Sequence, residues 1–256
     1  MKERADEKII RKYLEAYAEN IKIETVDIID STNDEMRRRA ENGEKEISLL
    51  IAEKQTKGRG TKGRSFFSPD GTGIYMSFLL RPTYTPEECT FLTTMAAVAS
   101  AKAIERVVGR KPQIKWVNDI YLDKKKAGGI LTQAHLSQNG RKVEWAVVGI
   151  GINLSEPEGG FPADLTDIAT AIGETDGLIK NRLIGEIVNE FVSYYRSLTE
   201  KEFIGEYSKR LLGLNEEITV REGEEEYNGT VIGIDPMCRL KIRLRDGSEK
   251  ILSSAQ

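Results

Sequence analysis

At 256 residues, 39% of them apolar and 31% charged, the chain can bury the core of one substantial domain, or of one plus a small appendage. A net charge of −3 argues against a general nucleic-acid binder, which carries an excess of Lys and Arg. No apolar run approaches the roughly 20 residues of a membrane helix, and the charged start MKERADEKIIRKYLEAY is unlike a signal peptide, so a cytoplasmic protein is expected.

Residues 3–19 place Ile9, Ile10, Tyr13, Leu14 and Tyr17 on one face at helical spacing, predicting an N-terminal helix. A strand over 25–29 follows. Thr32 and Glu35 have the spacing of a capping box, opening a helix that runs to Asn42 and is stopped by Gly43. Residues 48–53 read as a buried strand, and 74–80 as the next. Thr85-Pro86-Glu87-Glu88 is a second capping box, opening a long alanine-rich helix that ends at Gly109. From 113 to 153 the pattern is β, with Asn139-Gly140 as a hairpin turn. Helices are expected again over 178–197 and 201–210. After Gly213 the composition shifts to short strands, with turns at Gly223, Asp235-Pro236 and Asp246-Gly247. The expected fold class is α+β: a mixed-sheet domain over 1–212, with 1–24 as a helical extension, and a small β-barrel over 213–256. Cys89 and Cys238 make no metal spacing and read as free thiols of a reducing compartment.

The run QTKGRGTKGR (55–64) hangs from the second strand. Gly58, Gly60 and Gly63 alternate with Lys57, Arg59, Lys62 and Arg64. Glycines let successive N–H groups turn toward one point, and arginine forks match carboxylate and phosphate oxygens. A solvated charge cluster is the simplest reading of such a run; the fixed spacing directly after a strand favours an anion site. No GxxxxGK[ST] spacing exists, so it is not a P-loop. In KWVND (115–119), Trp116 reads as core and Lys115 and Asp119 as surface, unless Asp119 faces a cleft and helps hold Mg²⁺ beside phosphates. KKKAGGIL (124–131) starts at a turn, and one of its lysines can aim inward. GIGIN (149–153) lacks the third glycine of a dinucleotide fingerprint. Its glycines instead suit close approach of a flat ligand, with Asn153 offering an amide to a base edge. The lone His135 reads as packed or surface-exposed. No Ser-His-Asp or Cys-His logic is visible, which leaves positioning and charge stabilisation as the chemistry.

In this order, Ser31-Thr32-Asn33, Gln55 with GRGTKGRSFFSP (58–69), KWVND, KKKAGGIL and GIGINL (149–154) resemble the motifs of biotin protein ligases. The resemblance spans residues 25–252. It implies a class II synthetase-like catalytic domain, shared with lipoate ligases, and a C-terminal SH3-like barrel. It implies an ATP- and Mg²⁺-dependent reaction that couples biotin to ATP as biotinyl-5′-AMP. Biotin then passes to one lysine of a biotin carboxyl carrier domain. By the same resemblance, Ser31, Thr32, Asn33, Gln55, Arg59, Gly60, Thr61, Lys126 and Gly129 bind biotin. Arg59, Arg64, Trp116, Asn118 and Asn153 bind ATP. Lys126, Arg59, Lys115 and Asp119 carry catalysis, with Asp119 also at the metal.

Two departures stand out. The family loop commonly has arginine after Gly-Arg-Gly, where this chain has Thr61; easier release of the adenylate is the expectation. Ligases that double as repressors carry a winged helix-turn-helix first, whereas here 24 residues precede the first expected strand, which predicts a monofunctional ligase without a DNA partner. The sequence also ends early in the last expected barrel strand. A homodimer fits the resemblance, since relatives pair their sheets. The competing functions are a lipoate or octanoate ligase or transferase, and a biotin-sensing partner without catalysis.

Overall fold

Seven strands build one mixed sheet in this computed structural model, which describes residues 3–45, 47–173, 179–198 and 200–253. They are β1 (Lys22–Ile29), β2 (Ser48–Gln55), β3 (Gly73–Leu80), β4 (Gln113–Lys115), β5 (Asp119–Leu122), β6 (Lys125–Leu136) and β7 (Val143–Asn153). Their spatial order is β1-β2-β3-β7-β6-β5-β4. β1 and β2 run parallel, joined by the helix α2 (Thr32–Glu41); the other neighbours are antiparallel.

Side chains alternate across a pleated strand, and that alternation sets the layers. Leu49 and Ile51 of β2, Ile74 and Phe78 of β3, and Val148 and Ile152 of β7 join α3 (Thr90–Val108) and α4 (Lys180–Arg196) in the main core. The alternate residues Leu50, Leu79, Trp145 and Val147 pack on Met36 and Ala40 of α2. Among the described residues α2 is the one helix in that second cluster, which leaves the adjoining stretch of sheet open for a site.

The α+β class holds, and so does the Asn139-Gly140 hairpin between β6 and β7. Four expectations need correction. The N-terminal helix is confined to α1 (Glu7–Arg11). Beyond it α4 captures the backbone: Asn189 accepts from the Glu15 N–H at 2.9 Å and donates to the Tyr13 carbonyl at 2.8 Å, groups a continuing helix would need for itself. Thr32 does not cap α2. Ser31 does, accepting from the Asp34 N–H, while the Thr32 hydroxyl is turned to Gln55. The Thr85–Glu88 box forms its two reciprocal bonds at 3.0 and 3.3 Å, but on a preceding turn, and α3 begins at Thr90. It ends as expected at Gly109, whose φ of 77° is left-handed.

The fourth correction concerns the C-terminal barrel, which is not closed. β8 (Glu217–Glu222), β9 (Glu225–Ile234), β10 (Leu240–Leu244) and β11 (Glu249–Leu252) form an open antiparallel sheet with β8 and β11 at its edges. Its apolar residues Val220, Val231, Leu240, Ile242 and Leu252 belong to the same continuous core as Phe203 and Tyr207 of α5 (Glu202–Lys209). The rest of the molecule covers that face, so burial does not require closure. Residue 178, at the start of the expected fourth helix, and the chain end 254–256 lie outside the described residues. Cys89 and Cys238 are free and buried, and burial pushes both thiols up to about 11. Among the described residues no helix is long and apolar enough to cross a membrane.

One buried ion pair ties three segments together. Lys180 of α4 donates to Glu53 of β2 at 2.6 Å, and the side chains are 1% and 4% exposed. The other oxygen of Glu53 accepts from the Ala5 N–H. Removing one partner strands an uncompensated charge, which costs more than losing the pair. Lys180→Met is expected to destabilise the protein by about 3 kcal/mol, and Lys180→Met with Glu53→Gln is expected to recover most of that; urea unfolding midpoints check both.

Candidate active site

Across the sheet, Tyr75 of β3, Gly151 of β7, Gly129 of β6 and Asp119 of β5 stand in register. The next row on the same face is Ser77, Gly149 and Leu131. The glycines therefore leave a trough in the face that α2 borders. A methyl group at Gly149 would sit 1.9 Å from Asn33 Oδ1, and one at Gly151 2.7 Å from the Phe66 ring. Both positions must be bare for α2 and the cation loop to close on the sheet.

One end of the trough is neutral and polar. Gln55 Oε1 accepts from the Thr32 N–H at 2.8 Å and from the Thr32 hydroxyl at 3.1 Å, while its amide nitrogen donates to Ser68. Asn33 donates to the Leu131 carbonyl and to Gln133. Ser77 Oγ lies 2.7 Å from the Thr32 hydroxyl and 2.6 Å from Asn33 Oδ1, and can give its single proton to either. Every group here is held by another, so the amide and hydroxyl directions are fixed before a ligand arrives.

The cleft also carries charge. Lys126 Nζ lies 2.6 Å from Asp119 Oδ1. A methyl group on Gly129 would approach that ammonium to 3.2 Å, so the glycine gives Lys126 its room. Arg59, from the glycine-cation loop, donates through Nε to Asp34 of α2. The loop folds back on itself: Gly60 N–H donates to the Arg64 carbonyl and Phe66 N–H to the Gly58 carbonyl.

All nine residues predicted to bind biotin line one cleft of about 440 Å³, part of it open to solvent: Ser31, Thr32, Asn33, Gln55, Arg59, Gly60, Thr61, Lys126 and Gly129. Of the residues predicted for ATP, Arg59 and Asn118 line it. The others have different company. Arg64 bonds within the loop, to the carbonyl and hydroxyl of Thr61. Trp116 Nε1 donates to the Cys238 carbonyl and so ties the KWVND segment to the C-terminal sheet. Asn153 donates to the Thr170 carbonyl. Lys115 sits on the edge strand β4 with its ammonium over the Tyr121 ring. His135 is exposed and stacks on Trp145, away from the cleft.

The sequence reading did not include Phe66, Met76, Ile130, Leu131, Gly149, Ile150 and Gly151 among the lining residues, nor Asp34 and Ser77 behind them. The two β7 glycines carried a signal, since GIGIN already implied close approach. Ser77 carried none: it becomes polar wall only through the β3–β7 register. Among the described residues no group of three or more His, Cys, Asp or Glu could hold a metal by itself.

Comparison with known proteins follows the same lines. Residues 25–153 match the model of the biotin/lipoate A/B protein ligase family, and 213–256 match the biotin protein ligase C-terminal domain. The bifunctional ligase/repressor BirA of Bacillus spizizenii is 34% identical over 233 residues, which span 89% of this chain and 71% of that one. The biotin–[acetyl-CoA-carboxylase] ligase of Paracoccus denitrificans is 30% identical over 230 residues, 87% of this chain and 94% of that one. Among solved structures, the Aquifex aeolicus biotin protein ligase in complex with biotin and ATP aligns with a TM-score of 0.76 at 27% identity, over 91% of this chain and 96% of that one. Sequence, fold and cleft agree: the chain belongs to the biotin/lipoate A/B protein ligase family.

Proposed function

We propose that this protein is an ATP-dependent biotin protein ligase, and the observation that carries the proposal is one cleft that combines a fixed neutral polar wall with two cations, Lys126 and Arg59, each set on a carboxylate. The polar end suits a ureido ring, whose carbonyl needs donors and whose two N–H groups need acceptors. Ser31, Thr32, Asn33 and Gln55 supply both kinds. The bare backbone at Gly149 and Gly151, with Leu131 and the Phe66 ring beside it, suits the carbon skeleton between ring and carboxylate. The preorganised polar wall favours biotin over a lipoyl or octanoyl chain, which has no ureido group to bond with it.

In the first step an oxygen of the biotin carboxylate attacks the α-phosphorus of ATP. A P–O bond forms, the bond to the β-phosphate oxygen breaks, and pyrophosphate leaves. Both reactants are anions, so the barrier is largely one of bringing like charges together. Lys126 and Arg59 would offset that charge, with Asp119 orienting Lys126. In the second step the neutral amine of an acceptor lysine attacks the acyl carbon and forms the amide C–N bond; the bond from that carbon to the phosphate oxygen breaks, AMP leaves, and the proton lost by the amine passes to solvent. The activated anhydride makes a covalent enzyme intermediate unnecessary. The residues fit a Mg²⁺ that arrives on the triphosphate: Mg²⁺ keeps waters and takes one or two carboxylates, and Asp119 accepts from Lys126 only through Oδ1. Bound there, the ion would neutralise phosphate charge. Lys115, Arg64, Trp116 and Asn153 would meet ATP at the cleft margin, Asn153 after leaving Thr170. We assign catalysis to 1–212, with 213–256 bracing KWVND through Trp116, and take a biotin carboxyl carrier domain as the acceptor.

Three outcomes test this reading. Biotin supports ATP–pyrophosphate exchange and lipoate does not; exchange with lipoate alone would replace biotin as the substrate. Lys126→Ala lowers the exchange rate by about 10²–10³, the usual loss when a preorganised charge stabiliser is removed. Gly149→Ala raises the dissociation constant for biotin roughly tenfold or more, because overpacking costs ~1–3 kcal/mol, as read by titration calorimetry. The Thr61 departure has its own assay: without acceptor, Thr61→Arg releases labelled adenylate more slowly than the parent, and equal rates would sink the idea.

A further inference from the structure

We infer that Asp34 is a positioning residue for the glycine-cation loop and acts through Arg59; the inference deepens the anion-site reading above and rests on it. Asp34 stands in the first turn of α2, directly after the Ser-Thr-Asn run that lines the cleft. Its side chain is only 7% exposed. The Asp34 N–H is held by Ser31 Oγ, so the carboxylate projects from a capped, fixed turn. Oδ2 accepts from Arg59 Nε. Arg37 lies 3.7 Å from Oδ1 and balances the remaining charge.

The edge of the guanidinium that is used matters. Among the described residues, the hydrogen bond made by the Arg59 side chain comes from Nε, and no Nη bond to a protein acceptor accompanies it. Four N–H donors of a planar fork therefore stay available for an anion. A carboxylate that gripped the Nη pair would compete with the ligand; one that grips Nε aims the fork instead. The root of the loop is tied elsewhere, by Lys57 N–H to the Asp30 carbonyl and Thr56 N–H to the Ile29 carbonyl. The Asp34–Arg59 pair links the loop's interior to the helix. It therefore biases the loop toward the closed arrangement before any ligand binds. A ligand that needs the closed loop then binds with an apparent affinity reduced only by the small open fraction.

Trypsin tests this directly, because the loop offers Lys57, Arg59, Lys62 and Arg64 and its cleavage tracks the open population. In the unliganded protein, Asp34→Asn is expected to be nicked within 57–64 roughly fivefold faster than the parent, the modest effect of a charged pair whose arginine is half exposed. Asp34→Glu, which keeps the charge, is expected to stay close to the parent. In biotin-dependent exchange, Asp34→Asn raises KM for biotin by a similar factor and leaves kcat nearly unchanged. Raising the salt concentration speeds nicking of the parent, normalised to a free peptide of the same sequence, because the pair is screened; this arm needs no variant to fold. Unchanged nicking in Asp34→Asn, an Asp34→Glu variant nicked as fast as Asp34→Asn, salt-independent nicking, or a kcat loss at constant KM would each overturn the proposal. The nicking arms involve no ligand, so they judge Asp34 even if exchange shows a substrate other than biotin.

Discussion

The contact between Asn33 and the bare backbone of Gly149 is the constraint on which the site depends. A side chain at Gly149 would displace the amide, and with it the links from Asn33 to Ser77, Gln133 and the Leu131 carbonyl. Through Ser77 and Thr32 the same network reaches Gln55, at the root of the cation loop. One missing Cβ thus lets a helix, three strands and a loop meet closely enough to share a single wall of hydrogen bonds. Gly151 repeats the device for Phe66, and Gly129 for Lys126. The trough is less a gap between elements than a row of absent side chains on a continuous sheet.

Charge is handled differently in the cleft and in the core. In the cleft each cation rests on a carboxylate, Lys126 on Asp119 and Arg59 on Asp34. These pairs retain contact with water, with Lys126 33% and Arg59 52% exposed, so each contributes only about 0–1 kcal/mol. They hold the cations in place yet can be rearranged by an incoming anion at small cost. Lys180 and Glu53 sit at the opposite extreme, both almost fully buried, and such a pair cannot be traded without a large penalty. That pair fixes architecture, at a point on β2 two residues before Gln55. The contrast separates the charges that work from those that hold.

Much of this was legible in the sequence because local chemistry and tertiary role coincided. Gly109 ended its helix, Asn139-Gly140 made its hairpin, and the cation loop did follow a strand. The nine residues expected to bind biotin line one cleft because each lay in a motif that a single strand end or helix start carries to the same face. Failures came where a distant element took over local groups. The N-terminal helical face is real in pattern, but Asn189 of α4 claims the backbone around Tyr13 and Glu15. Thr32 has the spacing of a cap, but Gln55 takes its hydroxyl. The barrel was expected to close on itself, yet its apolar face had another surface to cover it. Asp34 was unreadable for the same reason: only the folded loop brings Arg59 to it.

The central claim is that one cleft holds a carboxylate and an ATP phosphate together long enough to join them. Mass spectrometry of the purified protein incubated with biotin, ATP and Mg²⁺, before and after addition of a biotin carboxyl carrier domain, tests it most directly. The account predicts biotinyl-5′-AMP and pyrophosphate formed in equal amount in the first sample. In the second, the acceptor gains one biotinyl group and AMP is released in equal amount. Failure to form the adenylate with a properly folded protein, or biotin found covalently attached to the ligase as an obligatory intermediate, would contradict it.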